Sequence, residues 1–457
     1  MNQKHFHHAL KFRKEVCIGC SHCMNVCPTQ AIRIHGGKAN LEDDRCVDCG
    51  KCYLACPVGA IIVEQDDFSR IFEFKHRVAL IPNILLAQFP DHVSITQICS
   101  VLLELGFTDV FEVEHGTGMM EEAMKQYIDG HPEVQPLIST FCPAIVRLVQ
   151  VQFPSLTDNL VLLKASLDIS AAYFQKKLVE QGAEPEDIGI FYITPCAAKI
   201  AAIKSPVGDD VSAITGVINM DFIFNKVYTA VKKGFAGKKT CQLPQMTDMP
   251  AEAMLWTLTE GEASRMPGRT LAIDEITNVI EFLEKIETEE IRDIDFLELR
   301  ACDQSCAGGI LTSGNRFCAV DRLRKRAATA YTQNHRADLK ENNDIEKYRD
   351  FLMKDMSTNR ILPRSMDKLD EDMTRAMHKM KKVQELMKIL PYVDCGLCGS
   401  PTCNALAEDI AQGKAEITRC IYVQKKLEKE GALTPDASME IMKQIWGADK
   451  FEDQPNQ

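Results

Sequence analysis

The stretch ELRACDQSCAGG, Glu298 to Gly309, decides how the centre of this chain is read. Its two cysteines, Cys302 and Cys306, stand four apart beside a double glycine and far from the other cysteine clusters. Structural zinc usually takes Cys-x2-Cys pairs, and a structural disulfide needs an oxidising compartment. Two thiols on a tight turn therefore ask for partners elsewhere. Working outward, the text from Phe68 to about Arg336 alternates apolar runs with amphipathic stretches. FYIT (Phe191 to Thr194) reads as a buried strand ending in Pro195-Cys196, and FTDVFEV (Phe107 to Val113) as a strand after a helix. EEAMKQYI and ISAAYFQKKLVEQG read as helices, the second closed by Gly182. This alternation predicts an α/β core of mainly parallel strands. Ligands gather in such folds where strands end, and Cys142, Cys196, Cys302 and Cys306 all suit such edges.

The chain has 457 residues, enough for two to four domains, with 45% hydrophobic and 26% charged residues. A net charge of −12 argues against a nucleic-acid binder. The start, MNQKHFHHALKFRKEV, lacks a signal-type apolar core, and the longest apolar run, Val78 to Ala87, is too short to span a bilayer and holds a proline. A cytoplasmic protein without membrane insertion is expected. Nineteen cysteines are many for such a compartment, and clustered cysteines there are metal ligands more often than disulfides.

Two runs, CIGCSHCMNVCP (Cys17, Cys20, Cys23, Cys27) and CVDCGKCYLACP (Cys46, Cys49, Cys52, Cys56), repeat the C-x2-C-x2-C-x3-C-P spacing of bacterial ferredoxins. There the fourth cysteine of each run serves the other cluster. Cys17, Cys20, Cys23 and Cys56 are thus assigned to one [4Fe–4S] cubane, and Cys46, Cys49, Cys52 and Cys27 to its neighbour. Near the C-terminus Cys395, Cys398, Cys403 and Cys420 follow a C-x2-C-x4-C-x16-C spacing, with a Gly/Pro-rich loop and then a helical segment before the fourth. This set resembles the small [4Fe–4S] module of some carbon-monoxide and corrinoid enzymes and certain hydrogenase-like proteins; four-cysteine zinc is the competing reading. Cys99, Cys241 and Cys318 read as core or incidental.

PLISTFCPAIVR, ITPCAAK and ELRACDQSCAGG resemble, in order, the three cluster-binding motifs of the [FeFe]-hydrogenase family, and the likeness runs through the ferredoxin part to about Arg326. The resemblance implies that Cys142, Cys196, Cys302 and Cys306 hold a cubane. It also makes Cys306 the bridge to a two-iron unit carrying CO, cyanide and a dithiolate. Lys199 matches the family lysine that contacts a cyanide, and Gly308-Gly309 would let the backbone approach the cluster. Glu122 matches the first glutamate of the family's proton relay, so Lys199, Cys306 and Glu122 are the implied catalytic residues.

The chain departs from that family at the relay. Phe141 replaces the cysteine before the first ligand, Val161 the serine and Lys125 the second glutamate. Ala202 replaces another glutamate, and Thr194 and Arg300 stand where methionines are usual. A general acid or base contributes about 10²- to 10⁴-fold in rate, so slow turnover is expected. His115, Glu112 and Glu114 are candidates for a substitute route. Retained ligands without the relay resemble the sensory branch of the family.

From Met366 to Leu390 apolar residues fall at Met366, Leu369, Met373, Ala376, Met380, Val383, Met387 and Leu390, a heptad seam that serves either a homodimer or packing on the chain itself. The expected layout is a two-cubane ferredoxin domain (1–67), a two-lobed H-cluster domain (68–336), a helical linker (337–390), a small helical [4Fe–4S] domain (391–446) and a tail (447–457). The expected activity is reversible H2 oxidation and proton reduction at low rate, in H2 or redox sensing by an anaerobe. Maturation proteins would install the two-iron unit, and the partner would be a ferredoxin-like redox protein or a separate kinase or phosphatase. The rival readings are a metabolic hydrogenase with another proton path, and a relative with cubanes only that serves electron transfer or cluster assembly.

Overall fold

The structure is a computed structural model that describes residues 6–208, 211–234, 249–334, 344–364, 369–370 and 372–452, without the side chains of 332–334. Cys241, Met366 and the linker stretch 337–343 lie outside the described residues. The chain divides into two compact units: Met1–Ala9 with Glu64–Pro363, and Leu10–Val63 with Arg364–Gln457.

The smaller unit brings together the two cysteine-rich ends that the sequence reading treats as separate domains. Its strands are β1 (Leu10–Phe12), β2 (Ile32–His35), β3 (Lys38–Leu41) and β4 (Ile61–Val63). β1 pairs antiparallel with β4 through Leu10–Val63 to Phe12–Ile61, and β2 with β3 through a Gly36-Gly37 turn, both glycines at positive φ. Such a turn needs left-handed backbone, which glycine adopts without steric cost. The helices Cys403–Ala411, Ile421–Lys429 and Pro435–Trp446 pack onto this ferredoxin-type body. Gly36 and Gly37 donate their N–H groups to the carbonyls of Gln444 and Ile445, and Ile34 donates to Gly399. A Cβ on Gly399 would lie 2.2 Å from the Ile34 carbonyl oxygen, so glycine is what lets this loop close on β2. Arg33 pairs with Asp409 at 2.7 Å where both side chains are about nine-tenths buried, and Arg45 pairs with Glu408. Removing one partner of such a buried pair costs about 3–5 kcal/mol, because the other charge is stranded away from water.

The heptad helix is shorter than its pattern. Asp372 accepts a hydrogen bond from the Arg375 N–H and caps the helix, which spans Met373–Met387, so Leu369 precedes it. Val383, Leu386, Met387 and Leu390 pack with Leu406, Ala407 and Ile410 of the same chain, while Met373 and Met380 are exposed. The C-terminal half of the seam is thus filled by the protein's own next helix.

The larger unit holds two parallel sheets. Its strands are β5 (His76–Ile81), β6 (Asp109–Glu112), β7 (Leu137–Ile138), β8 (Ile188–Thr194), β9 (Gly216–Asn219), β10 (Thr270–Ile273) and β11 (Phe296–Leu299). One sheet runs β6-β5-β8-β9 and the other β10-β11-β7, with every pair parallel. β8, IGIFYIT, is buried along its whole length, as expected of a parallel strand covered on both faces. Helices including Thr117–Gly130, Pro143–Gln152, Ser166–Glu180 and Ala197–Lys204 cover the sheets, and the expected two-lobed α/β core is present. The carboxyl ends of β7, β8 and β11 lead directly to Cys142, Cys196 and Cys302. Among the described residues no helix is long and apolar enough to cross a membrane.

Candidate metal centre

Each ligand loop is set by a local rule. Cys142 precedes a helix whose first residue, Pro143, supplies a preset φ and no needed N–H. Cys196 precedes the helix Ala197–Lys204, and Thr194 clamps that turn. The Thr194 hydroxyl accepts from the Cys196 N–H at 3.1 Å and lies 3.2 Å from the Cys196 carbonyl, to which it donates. Between Cys302 and Cys306 the non-glycine residues Gln304 and Ser305 adopt φ of 60° and 54°. Backbone of this kind costs about 1–3 kcal/mol per residue and clusters at functional sites. The double glycine also meets a packing need that the sequence does not show. A Cβ on Gly309 would sit 2.7 Å from the Pro195 carbonyl oxygen, and one on Gly308 1.9 Å from that of Asp303. The pair lets the Cys306 turn close onto itself and onto the Pro195-Cys196 turn, bringing two ligand loops together.

Cys142, Cys196, Cys306 and Lys199 lie within electrostatic reach of one another. Burial, and after it the neighbouring Cys142, pushes the Cys196 thiol up to about 12. Burial also raises the Cys306 thiol, against the opposing pull of Lys199 and Arg300. Burial works to lower the Lys199 ammonium, yet Tyr192 and the three cysteines outweigh it and hold Lys199 above its ordinary value. The Lys199 ammonium stands 4.3 Å from the centre of the Phe141 ring, and the Arg300 guanidinium stands 3.9 Å from the same ring. Desolvated cation–ring contacts are worth about 2 kcal/mol each.

Arg300 is the hub of a buried polar network. Its Nη2 lies 2.8 Å from Glu262 and its Nε 3.3 Å from Glu298. Glu298 also accepts the N–H groups of Glu262 and Ala263 at 2.8 Å each. The Ser139 hydroxyl donates to Glu262 at 2.7 Å and accepts from the Phe141 N–H at 3.2 Å. Burial raises the Glu262 carboxyl despite Arg300. The two departures from the expected pattern, Phe141 and Arg300, therefore form one packed unit. A second buried carboxyl, Glu114, is pushed up to about 8 by burial and then by the charge of Glu112. It accepts from the Asn83 N–H at 2.9 Å, while Asn83 takes the Thr257 hydroxyl at 2.8 Å and the Thr257 carbonyl accepts from the Cys306 N–H.

Other sequence-predicted residues lie differently. Glu122 is a half-exposed side chain paired with Arg349, and Lys125 pairs with Glu121. Glu112 forms a two-pronged pair with Arg326 at 2.6 and 2.7 Å. Val161 is buried and Ala202 lines a half-open cavity of about 760 Å³ that reaches Phe141 and Lys199. Glu262, Glu298 and the hub role of Arg300 were missed from sequence, though a glutamate inside the apolar strand FLEL (Phe296–Leu299) is a readable signal of a buried charge.

At the ferredoxin end, the Cys23 thiol lies within electrostatic reach of Cys20, Cys17 and Cys56, Cys49 within reach of Cys27, and Cys52 within reach of Cys49, Cys27 and Cys23, so the two runs lie close together. The Cys27 and Cys56 sulfurs accept backbone N–H bonds at 3.2 Å from Ala31 and Ala60, contacts that tune iron–sulfur sites. Cys395, Cys398, Cys403 and Cys420 all line one small cavity. Cys99 is core, whereas Cys318 is exposed on a helix rather than packed.

The hydrogenase-type cofactor can be tested against the residues that would surround it. Arg300 Nη1, Ser305 Oγ and Glu114 Oε1 are buried with no hydrogen-bond partner among the described residues. Unsatisfied buried groups cost about 1–3 kcal/mol each. Two unspent donors and a buried ammonium beside three thiols fit an anionic metal group with acceptor ligands.

Comparison with known proteins agrees with this chemistry. Residues 76–220 match the iron only hydrogenase large subunit, C-terminal domain, residues 16–60 the 4Fe-4S dicluster domain, and residues 390–422 a putative Fe-S cluster family. The chain is an iron–sulfur protein. Its region 76–220 is similar to the iron-only hydrogenase domain. A component of the ion-translocating oxidoreductase complex of Rhodobacter capsulatus is 55% identical over 38 residues, 8% of this chain and 20% of that protein. The corrinoid/iron-sulfur protein large subunit of Moorella thermoacetica is 42% identical over 64 residues, 14% of each chain. The chain thus spans a fifth or less of these curated relatives. Among solved structures, a variant of [FeFe]-hydrogenase HydA1 from Chlamydomonas reinhardtii has 16% identity and a TM-score of 0.46, covering 63% of this chain and 94% of that one. A HydA structure from a study of stepwise H-cluster assembly has 15% identity and a TM-score of 0.47, covering 65% and 98%.

Proposed function

We propose that this chain is an [FeFe]-hydrogenase-type protein that holds an H-cluster on Cys142, Cys196, Cys302 and Cys306, with Cys306 as the bridging ligand. Three further [4Fe–4S] clusters belong to the two ferredoxin-type sets and to Cys395, Cys398, Cys403 and Cys420. Bound there, the H-cluster supplies reversible interconversion of H2 with two protons and two electrons. The observation that carries this reading is the convergence of cysteine loops, at the carboxyl ends of parallel strands, on the buried cations Lys199 and Arg300.

The chain's own residues account for binding and for slow proton movement. Lys199, buried beside Tyr192 and the three thiols, is held cationic and serves an anionic ligand. Arg300 and the Ser305 hydroxyl offer the remaining donors. Phe141 fills the position from which a thiol would take a proton, and Glu122 is paired with Arg349 at the surface. A protein that keeps the ligands and loses the fast relay suits sensing of H2 or redox state in the cytoplasm, with its output in a separate protein. The second reading, a metabolic hydrogenase, is favoured by Glu114 and Glu262, two buried carboxyls raised toward neutrality that could exchange protons.

The test is an infrared spectrum of anaerobically matured protein under argon and then under H2. CO and cyanide bands that shift under H2, with low turnover on the same sample, are expected. Turnover on the order of 10² per second selects the metabolic reading. Absence of the bands, when a control hydrogenase matures normally, overturns both and leaves an electron-transfer protein with cubanes alone.

A further inference from the structure

Among the candidate cluster cysteines, Cys395 alone is exposed. It sits in KILPYVDCGLC (Lys388 to Cys398), where Ile389, Tyr392, Val393 and Leu397 are 56, 66, 51 and 43% exposed. Exposed apolar side chains grouped like this mark interaction surfaces, whereas scattered ones do not. Their surroundings are basic. On the helix Met373–Met387, Arg375 and Lys379 are balanced by Asp370 and Asp372, which among the described residues leaves Lys381 and Lys382, followed by Lys388, as the unpaired cations beside Glu385 and the loop's own Asp394. Lys381, Lys382 and Lys388 are exposed and have no ion-pair partner among the described residues. On a chain of net charge −12 this is a local reversal of sign. An acidic protein is repelled by the molecule at large and drawn to this surface, as steering by a charged patch requires.

The same module is built onto the ferredoxin-type body. The ideal Cβ of Gly396 would lie 3.0 Å from the Met24 methyl, and the Thr402 hydroxyl is 3.1 Å from the Gln30 side-chain oxygen. With the Ile34–Gly399 bond, these contacts set the loop Cys395–Cys403 against the segment that carries Cys27. One face of the terminal site therefore looks to solvent and another to the ferredoxin-type sets.

We propose that the apron around Cys395 is the docking surface for an acidic, one-electron carrier protein, and that the terminal cluster is the port between that carrier and the ferredoxin-type clusters. The carrier gives up one electron and the [4Fe–4S]²⁺ cluster becomes [4Fe–4S]⁺; no bond forms or breaks and no proton moves. The inference rests on the reading of Cys395, Cys398, Cys403 and Cys420 as an iron–sulfur site.

The test uses the full chain with its clusters reconstituted, mixed anaerobically in a stopped-flow instrument with a reduced two-[4Fe–4S] ferredoxin of net negative charge. Iron and zinc content and the electron paramagnetic resonance of wild type and Cys395→Ser come first. Zinc at this site overturns the cluster reading, whatever the kinetics show. With the cluster present, the wild-type second-order rate falls steeply with added salt, and Lys381→Glu/Lys388→Glu lowers it by about tenfold at low salt, since steering governs association. Reduction by methyl viologen radical, a small cation, is not slowed in the same variant. A wild-type rate independent of salt, or equal ferredoxin rates in wild type and variant, overturns the docking surface while leaving the cluster intact. So does a homodimer in sedimentation that Tyr392→Asp dissociates, which would make the apron a contact between two copies.

Discussion

Replacing Arg300 by methionine tests whether the buried network beside the metal centre is held by that one cation. Arg300, Glu262 and Glu298 have side chains 2, 1 and 0% exposed, so the substitution strands two carboxylates where water cannot reach them. Removing one member of a buried pair costs about 3–5 kcal/mol. Methionine keeps apolar packing near Phe141, so the loss reports on charge. The penalty stops short of double that range because burial already holds Glu262 above its ordinary value and protonation relieves it. A carboxyl raised in the folded state gives stability that is complete below its unfolded value, about 4.3, and lost as pH rises through the folded value. Without Arg300 the folded value of Glu262 climbs further, so the variant keeps losing stability at pH where the wild type has levelled off. At about 2 °C per kcal/mol, the low end for a large unit, the expected fall in Tm is about 6–10 °C at pH 8 and less at pH 6. Anaerobic scanning calorimetry measures it, and Arg300→Met/Glu262→Gln should recover about half. A Tm at pH 8 within error of wild type, or a larger loss at pH 6 than at pH 8, refutes the reasoning.

Three further outcomes are expected. Phe141→Cys returns a thiol to the position before Cys142, and with Val161 and Lys125 unchanged the gain in H2 turnover should be about tenfold, well below a full acid–base contribution; no gain in matured protein places the proton route elsewhere. Gly309→Ala puts a methyl 2.7 Å from the Pro195 carbonyl oxygen and 2.9 Å from the Pro195 Cβ, so it should destabilise by about 1–3 kcal/mol and lower iron occupancy, read by iron analysis and calorimetry. Glu114→Gln removes a carboxyl pushed up to about 8 by burial; the wild type loses stability as pH rises toward that value and the variant does not. Its Tm relative to wild type should therefore increase from pH 6 to pH 9, and a constant difference would show that Glu114 is not the titrating group.

Cysteine spacing was readable where three cysteines of one set share a short loop, as in Cys17, Cys20 and Cys23, because spacing there is geometry; Cys142, Cys196, Cys302 and Cys306 stand on separate loops and were grouped only by the resemblance of their motifs. The α/β core was legible for a related reason, since parallel strands such as IGIFYIT are apolar throughout and the helices between them are periodic. The span of the heptad helix was not legible, because its pattern continues past the Asp372 cap to Leu369, which precedes the helix. Nor was the partner of its lower half, which is the helix Cys403–Ala411 of the same chain.

What only the tertiary structure decided are the contacts between residues remote in sequence. Arg33 finds Asp409 across 376 positions, joining the first cysteine module to the last. Arg300, Glu262, Ser139 and Phe141 come from three separated segments, and their mutual distances depend on how β7 and β11 lie side by side. Motifs report the chemistry that a few neighbouring residues can do. Whether a buried cation has carboxylates to balance it, and whether a glycine meets open space or a carbonyl, is settled by packing, because desolvation and steric fit act through space and not along the chain.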